Sequence, residues 1–300
     1  MHNHHQHHNA ADTGIGSFSD LWNPEVLLIT LLLVILYFLV TGPLRSRFDG
    51  AEPVTGKKKT VFVLAMVILY AAAGSPINYL GHHYLFSMHM LQMALLFIAL
   101  PPMIMLGIPG WLWAVMFRNR GMQAVLRFCT RPVVAALLFN SLLSFYHFPE
   151  VLDYAAQNHN WMNAIHAVIF LAAFCMWWPI VNPLPVQEKP LEGLRKVAYL
   201  FLNGVLITPS CALIIFASEP LYQSYMNAPL LFPSHTAFAD QRLGGIIMKL
   251  VQEGVYSSVL AYIFFQWYKQ EKQNDLPMDQ QAPRPQLGDL AASGADQGNA

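Results

Sequence analysis

Charge is scarce in this chain. Only 17 Lys or Arg and 17 Asp or Glu occur among 300 residues, so 11% are charged while 55% are hydrophobic. A soluble domain carries about a quarter charged residues, so the shortage excludes an ordinary soluble domain and points to a polytopic membrane protein. The two signs cancel to a formal net charge of zero, which leaves no bulk basic field for nucleic acid. Cysteine is nearly missing too: Cys129, Cys175 and Cys211 form no CxxC, and none lies in a predicted outer loop. That excludes a disulfide framework or a thiolate cluster and leaves three small buried hydrophobes. There is no phosphate-binding Gly-rich loop, no HExxH and no GxSxG, so the chain reads as a non-enzyme. Its N-terminus lacks the basic stretch and small-residue cleavage site of a secretory signal. Internal repeats are not visible, which weakens a transporter built from duplicated halves.

What the chain has in quantity is long apolar runs. A bilayer core of about 30 Å needs roughly 20 such residues per helix. Seven runs qualify, at about 24–42, 60–76, 85–106, 132–147, 162–180, 197–217 and 244–267. The expected fold is therefore all-α, a membrane domain of seven transmembrane helices over 24–270. A His-rich tail precedes it at 1–23, and a Gln-, Pro-, Asp- and Gly-rich tail at 271–300 has little to bury and is expected to be disordered. Pro101 and Pro102 are expected to kink or end the third helix. Lys and Arg sort strongly. Arg45, Arg47 and Lys57 to Lys59 occupy the first connection, Arg118, Arg120, Arg127 and Arg131 the third, and Lys189, Arg195 and Lys196 the fifth. By the positive-inside rule this puts the N-terminus outside and the C-terminus in the cytoplasm. Trp111, Trp113, Trp177 and Trp178 are then expected at the inner interface.

Histidine sorts the opposite way. His2, His4, His5, His7 and His8 precede the first run, and His82, His83, His89, His147, His159, His166 and His235 lie in or near loops of the same outer face. Imidazole is the commonest metal-binding side chain, so metal handling at the outer surface is indicated. His89 and Met93 are four apart and share a helix face. Imidazole with thioether suits Cu(I), whereas hard cations want carboxylates. His147 closes the fourth run and His166 lies one turn into the fifth, at a depth similar to His89. An ionisable residue within a span is costly and marks function. The candidate metal ligands are therefore His89, Met93, His147 and His166, with His82, His83 and Asp240 as possible supports. The bland alternatives are that His147 satisfies a helix-end carbonyl, that the loop histidines His82, His83, His159 and His235 are solvated, and that Met93 is ordinary core. Asp240 reads first as a helix cap, and Lys249 with Glu253 as an i,i+4 pair. The N-terminal His tract has a metal-binding composition.

Several segments, in order, resemble the CtaG family of caa3-type cytochrome c oxidase assembly factors. They are Met88-His89-Met90-Leu91-Gln92-Met93, Leu100-Pro101-Pro102 to Leu106-Gly107-Ile108-Pro109, Tyr146-His147-Phe148-Pro149, Ile165-His166 to Met176-Trp177-Trp178-Pro179, and Ala239-Asp240-Gln241-Arg242-Leu243-Gly244-Gly245. The resemblance runs from the second to the seventh span. It implies a multi-pass protein of the bacterial plasma membrane that helps form active oxidase and supplies its copper. Its partners would be oxidase subunits, the lipid bilayer and a copper donor protein. It also implies functional weight at His89, His147, His166 and Asp240. Family members often carry a second histidine where this chain has Met93, which still permits Cu(I). The competing readings are a metal permease, which would need ligands continuing down through the bilayer, a haem- or quinone-binding redox protein, and a receptor suggested by span count alone.

Overall fold

A computed structural model describes residues 17–184, 190–231 and 234–274, apart from the side chains of residues 159, 270, 273 and 274. The His tract at 2–8 and most of the predicted C-terminal tail lie outside the described residues. Among those described, the chain is helical and has no strand. The helices are α1 (Phe18–Leu21), α2 (Pro24–Thr41), α3 (Gly56–Ala73), α4 (Pro76–His83), α5 (Phe86–Ala94), α6 (Leu100–Gly107) and α7 (Gly110–Met116). They continue as α8 (Arg120–Cys129), α9 (Pro132–Tyr146), α10 (Pro149–Ala156), α11 (His159–Val181), α12 (Leu194–Ile215), α13 (Gln223–Met226) and α14 (Ala237–Asn274).

Local chemistry sets many of the starts. Asn23 caps α2, its Oδ1 accepting from the amides of Glu25 at 3.0 Å and Val26 at 3.2 Å, and Pro24 follows at the first helical position. Ser75 caps α4 in the same way, again with proline next. Asn119 and Asn158 cap α8 and α11.

Among the described residues, six helices are long and apolar enough to cross a membrane: Pro24–Thr41, Gly56–His83, Phe86–Gly107, Asn160–Val181, Leu194–Ile215 and Ala237–Lys269. The pair α8–α9 passes the same test only when taken together, across a 75° bend. That bend falls where Pro132 disfavours helical backbone at Arg131. The fourth predicted run is therefore a 15-residue helix joined at that bend to the 10-residue α8.

Three expectations are corrected. The second run does not end in a loop before His82; α3 and α4 form one 28-residue element reaching His83. The Ser75 cap with Pro76 restarts the helix after Gly74, although the apolar composition has already faded. Second, Pro101 and Pro102 do not end the third helix. A π-helical turn at Leu95–Ala99 widens the backbone just before them, which relieves the clash of a proline ring with the preceding turn. Third, Trp113, Trp177 and Trp178 are buried in the protein core and not spread at an interface.

α5 is the innermost element, with seven of its nine residues buried. Its neighbours approach at glycines. A Cβ on Gly81 of α4 would stand 2.8 Å from the His89 amide nitrogen, and one on Gly244 of α14 would stand 2.6 Å from the Phe86 ring. On the other side of α14, a Cβ on Gly245 would meet Ile215 of α12 at 2.7 Å. The predicted Lys249–Glu253 pair forms at 2.7 Å, and Lys249 Nζ also donates to Thr208 Oγ1 and Gln252 Oε1.

Gly81→Val should push α4 off α5 and cost about 1–3 kcal/mol, as overpacking does, lowering the thermal midpoint of the purified protein. Gly254→Ala, at a helical position with nothing within 4 Å of the added atom, should leave that midpoint unchanged or raised. Equal midpoints for Gly81→Val and the wild type would show that the close approach is not a packing constraint.

Candidate functional site

Four helices bring imidazoles to one end of the bundle. His82 is in the last turn of α4, His89 is in the first turn of α5, His147 follows the last residue of α9, and His166 lies in the second turn of α11. The ring of His89 is 6.2 Å from that of His82, 6.4 Å from His147 and 6.1 Å from His166, and His82 is 6.5 Å from His166. The rings of His147 and His166 thus both stand close to that of His89, joined by His82, which the sequence offers as a possible support or a solvated loop residue.

Two carbonyls fix the chemical form of two of these rings. His147 Nδ1 faces the Leu143 carbonyl at 2.7 Å, and His82 Nδ1 faces the Asn78 carbonyl at 2.8 Å. A carbonyl can only accept, so each Nδ1 carries the hydrogen and each Nε2 carries the lone pair. His147 Nε2 is buried and has no hydrogen-bond partner. An N–H held by a backbone carbonyl with the other nitrogen bare is the arrangement of a metal-ligating histidine.

Tyr146 sits among the rings. Its hydroxyl is 3.2 Å from His89 Nε2 and 2.9 Å from His166 Nε2, with the Met162 sulfur 3.8 Å away. A phenol has one hydrogen to give, so it donates to one imidazole and accepts an N–H from another. His89 Nδ1 is buried without a partner. His89 itself is fully buried, ringed by Phe86, Tyr146 and Tyr225.

Met93 is buried one turn beyond His89 on α5. His83 is exposed and turns away, stacked on Tyr79 at 4.4 Å with Nδ1 on the Tyr79 carbonyl. Asp240 is a cap, but not of its own helix. Its Oδ2 accepts from the Ser87 amide at the start of α5 at 3.2 Å, and its Oδ1 faces His235 Nε2 at 3.3 Å. The first turn of α14 is held instead by Thr236. Tyr222 and Tyr225 close the site from the loop before α14, donating to the carbonyls of His147 and Gly81 at 2.9 and 2.8 Å. Asp153 of α10 anchors that loop by accepting from the Gln223 and Ser224 amides. Sequence reading missed Tyr146, Met162, Tyr222 and Tyr225. Two signals were available: Tyr146 adjoins His147, and Met162 stands four before His166.

The rings are spaced for few-coordinate chemistry. With metal–nitrogen bonds of about 2 Å, two imidazoles on opposite sides of one ion have centres about 6 Å apart, and three around one ion about 5.5 Å. Separations of 6.1–6.5 Å match the first. Among the described residues, no group of three or more His, Cys, Asp or Glu stands close enough to hold a metal ion.

A family model described as cytochrome c oxidase caa3 assembly factor matches residues 35–270. The chain belongs to this family. The match takes in α3 to α12 whole and every member of the histidine cluster. No curated protein and no solved structure matches the chain. As a caa3 assembly factor, the chain acts in the biogenesis of cytochrome c oxidase.

Removing the Tyr146 hydroxyl deprives two imidazole nitrogens of a partner. Tyr146→Phe should therefore destabilise the protein by about 1–3 kcal/mol, the cost of leaving buried polar groups unmet. Tyr154→Phe, at an exposed ring, should have no effect. Thermal unfolding of the two variants in the same detergent decides it, and a wild-type midpoint for Tyr146→Phe would deny the hydroxyl its bridging part.

Proposed function

We propose that this assembly factor carries copper, as Cu(I), on the histidine cluster and hands it to a subunit of the oxidase. The observation that supports this most directly is the pair of buried, unpartnered ring nitrogens, His147 Nε2 and His89 Nδ1, on imidazoles 6.4 Å apart. A buried polar atom without a partner is costly, and a metal ion is the kind of partner that imidazole lone pairs accept. His166 and the thioethers of Met93 and Met162 extend the set with donors that favour Cu(I) over harder cations. Neutral imidazole and thioether exchange readily, so copper as cargo can pass between chains without a driving reaction. In this reading His82 supplies a further imidazole, exposed His83 stands at the approach for a copper donor protein, and Asp240 holds the helix that carries His89.

The Lys and Arg bias supports an orientation in the bacterial plasma membrane with the histidines and N-terminus outside and the C-terminus in the cytoplasm. It also favours seven crossings. α9 alone rises about 22 Å, short of the bilayer core, and completes a span only with its partner α8 at the membrane surface. The permease and haem- or quinone-redox readings gain nothing from the family match.

Anaerobic titration of the purified full-length protein with Cu(I), against a competing Cu(I) chelator, tests the proposal. His89→Ala and His147→Ala should each weaken the tightest copper site at least tenfold, while His83→Ala should not. Wild-type affinity in both cluster variants would remove copper from them. In cells starved of copper, the same two variants should fail to restore oxidase activity to a deletion strain.

A further inference from the structure

At the end of the bundle opposite the histidines, helices α3, α6, α11, α12 and α14 line an open-sided cavity of about 960 Å³. It has the size of a ligand site, and its lining divides into two parts. Toward the surface stand the ammonium groups of Lys57, Lys58 and Lys196 with one carboxylate, Glu192. The rest of the lining is mainly aromatic and aliphatic, with buried Trp177, half-buried Trp267 and the exposed ring of Tyr262. Lys57 and Lys58 are exposed at the first turn of α3. Lys196 is half-buried, with Nζ donating to the Ile180 carbonyl at 2.8 Å, so one cation is fixed at the wall while two remain mobile at the mouth.

Trp177 borders this cavity but is fully buried against Tyr256, so its indole is closed to a ligand there. The lining therefore combines an excess of positive charge with aromatic and aliphatic surface.

We propose that this cavity is a seat for one anionic phospholipid of the adjoining leaflet. Its phosphodiester lies among Lys57, Lys58 and Lys196, and its upper chains run along Tyr262 and Trp267. Basic pockets between helices at the membrane surface bind anionic headgroups in this way. The three ammonium groups outnumber the single carboxylate, which separates an anionic lipid from a zwitterionic one. The apolar interior separates the lipid from free phosphate. The seat is independent of the copper reading, because it shares no residue with the histidine cluster.

Native mass spectrometry of the full-length protein, offered phosphatidylglycerol, phosphatidylcholine or inorganic phosphate separately, tests it. One phosphatidylglycerol should remain bound, at least tenfold more tightly than phosphatidylcholine, and phosphate alone should not compete with it at millimolar concentration. Lys57→Gln with Lys58→Gln, two exposed changes that leave the core untouched, should lower phosphatidylglycerol affinity at least fivefold. Equal retention of the two lipids, binding of phosphate in place of lipid, or an unaffected double-lysine variant would each overturn the proposal.

Discussion

A buried imidazole must place two nitrogens, and His89 and His147 each have one partnered and one bare, Nδ1 and Nε2 respectively. The i−4 carbonyl claims Nδ1 on His147 and on His82, and the Tyr146 hydroxyl bonds Nε2 of His89 and His166. Two bare ring nitrogens are expensive in an apolar interior, and much of the surrounding architecture serves to hold them. Gly81 lets α4 lie against the His89 backbone. Tyr222 and Tyr225 bond to backbone carbonyls at the rim. Asp240 fastens the first turn of α5 from a helix that begins more than 150 residues further along the chain.

The outline of this arrangement was legible in the sequence because apolar runs and charge bias obey the bilayer directly. α2, α5 with α6, α11 and α12 fall close to where their composition places them. Convergence of His89, His147 and His166 was legible as well, since each stands at the same end of its run. The rest depended on contacts that composition does not carry. His82 sits in a polar stretch, Asn78 to His83, that reads as loop, yet a serine cap and a proline start another helix there. Asp240 has the spacing of a cap for its own helix, but a tertiary contact with Ser87 claims it.

The tryptophans show the same limit from another side. Amphipathic rings near the end of a span are expected at the lipid interface, and Trp177 and Trp178 have that position in the chain. Both are instead enclosed, Trp178 against Trp113 and Phe117, and Trp177 against Tyr256. The level of a residue along the membrane normal follows from its place in the sequence. Which way its helix face turns is decided by neighbouring helices.

α14 runs for 38 residues, about 57 Å of continuous rod. One end carries Asp240 and so bears on the backbone that positions His89, while Trp267 near the other end lies against Gly193, whose backbone holds a positive φ of 49°. A stiff strut pinned at both extremities cannot tilt at one without displacing the other. One helix thereby joins the backbone that positions His89 to the wall of the cavity at the opposite end of the bundle.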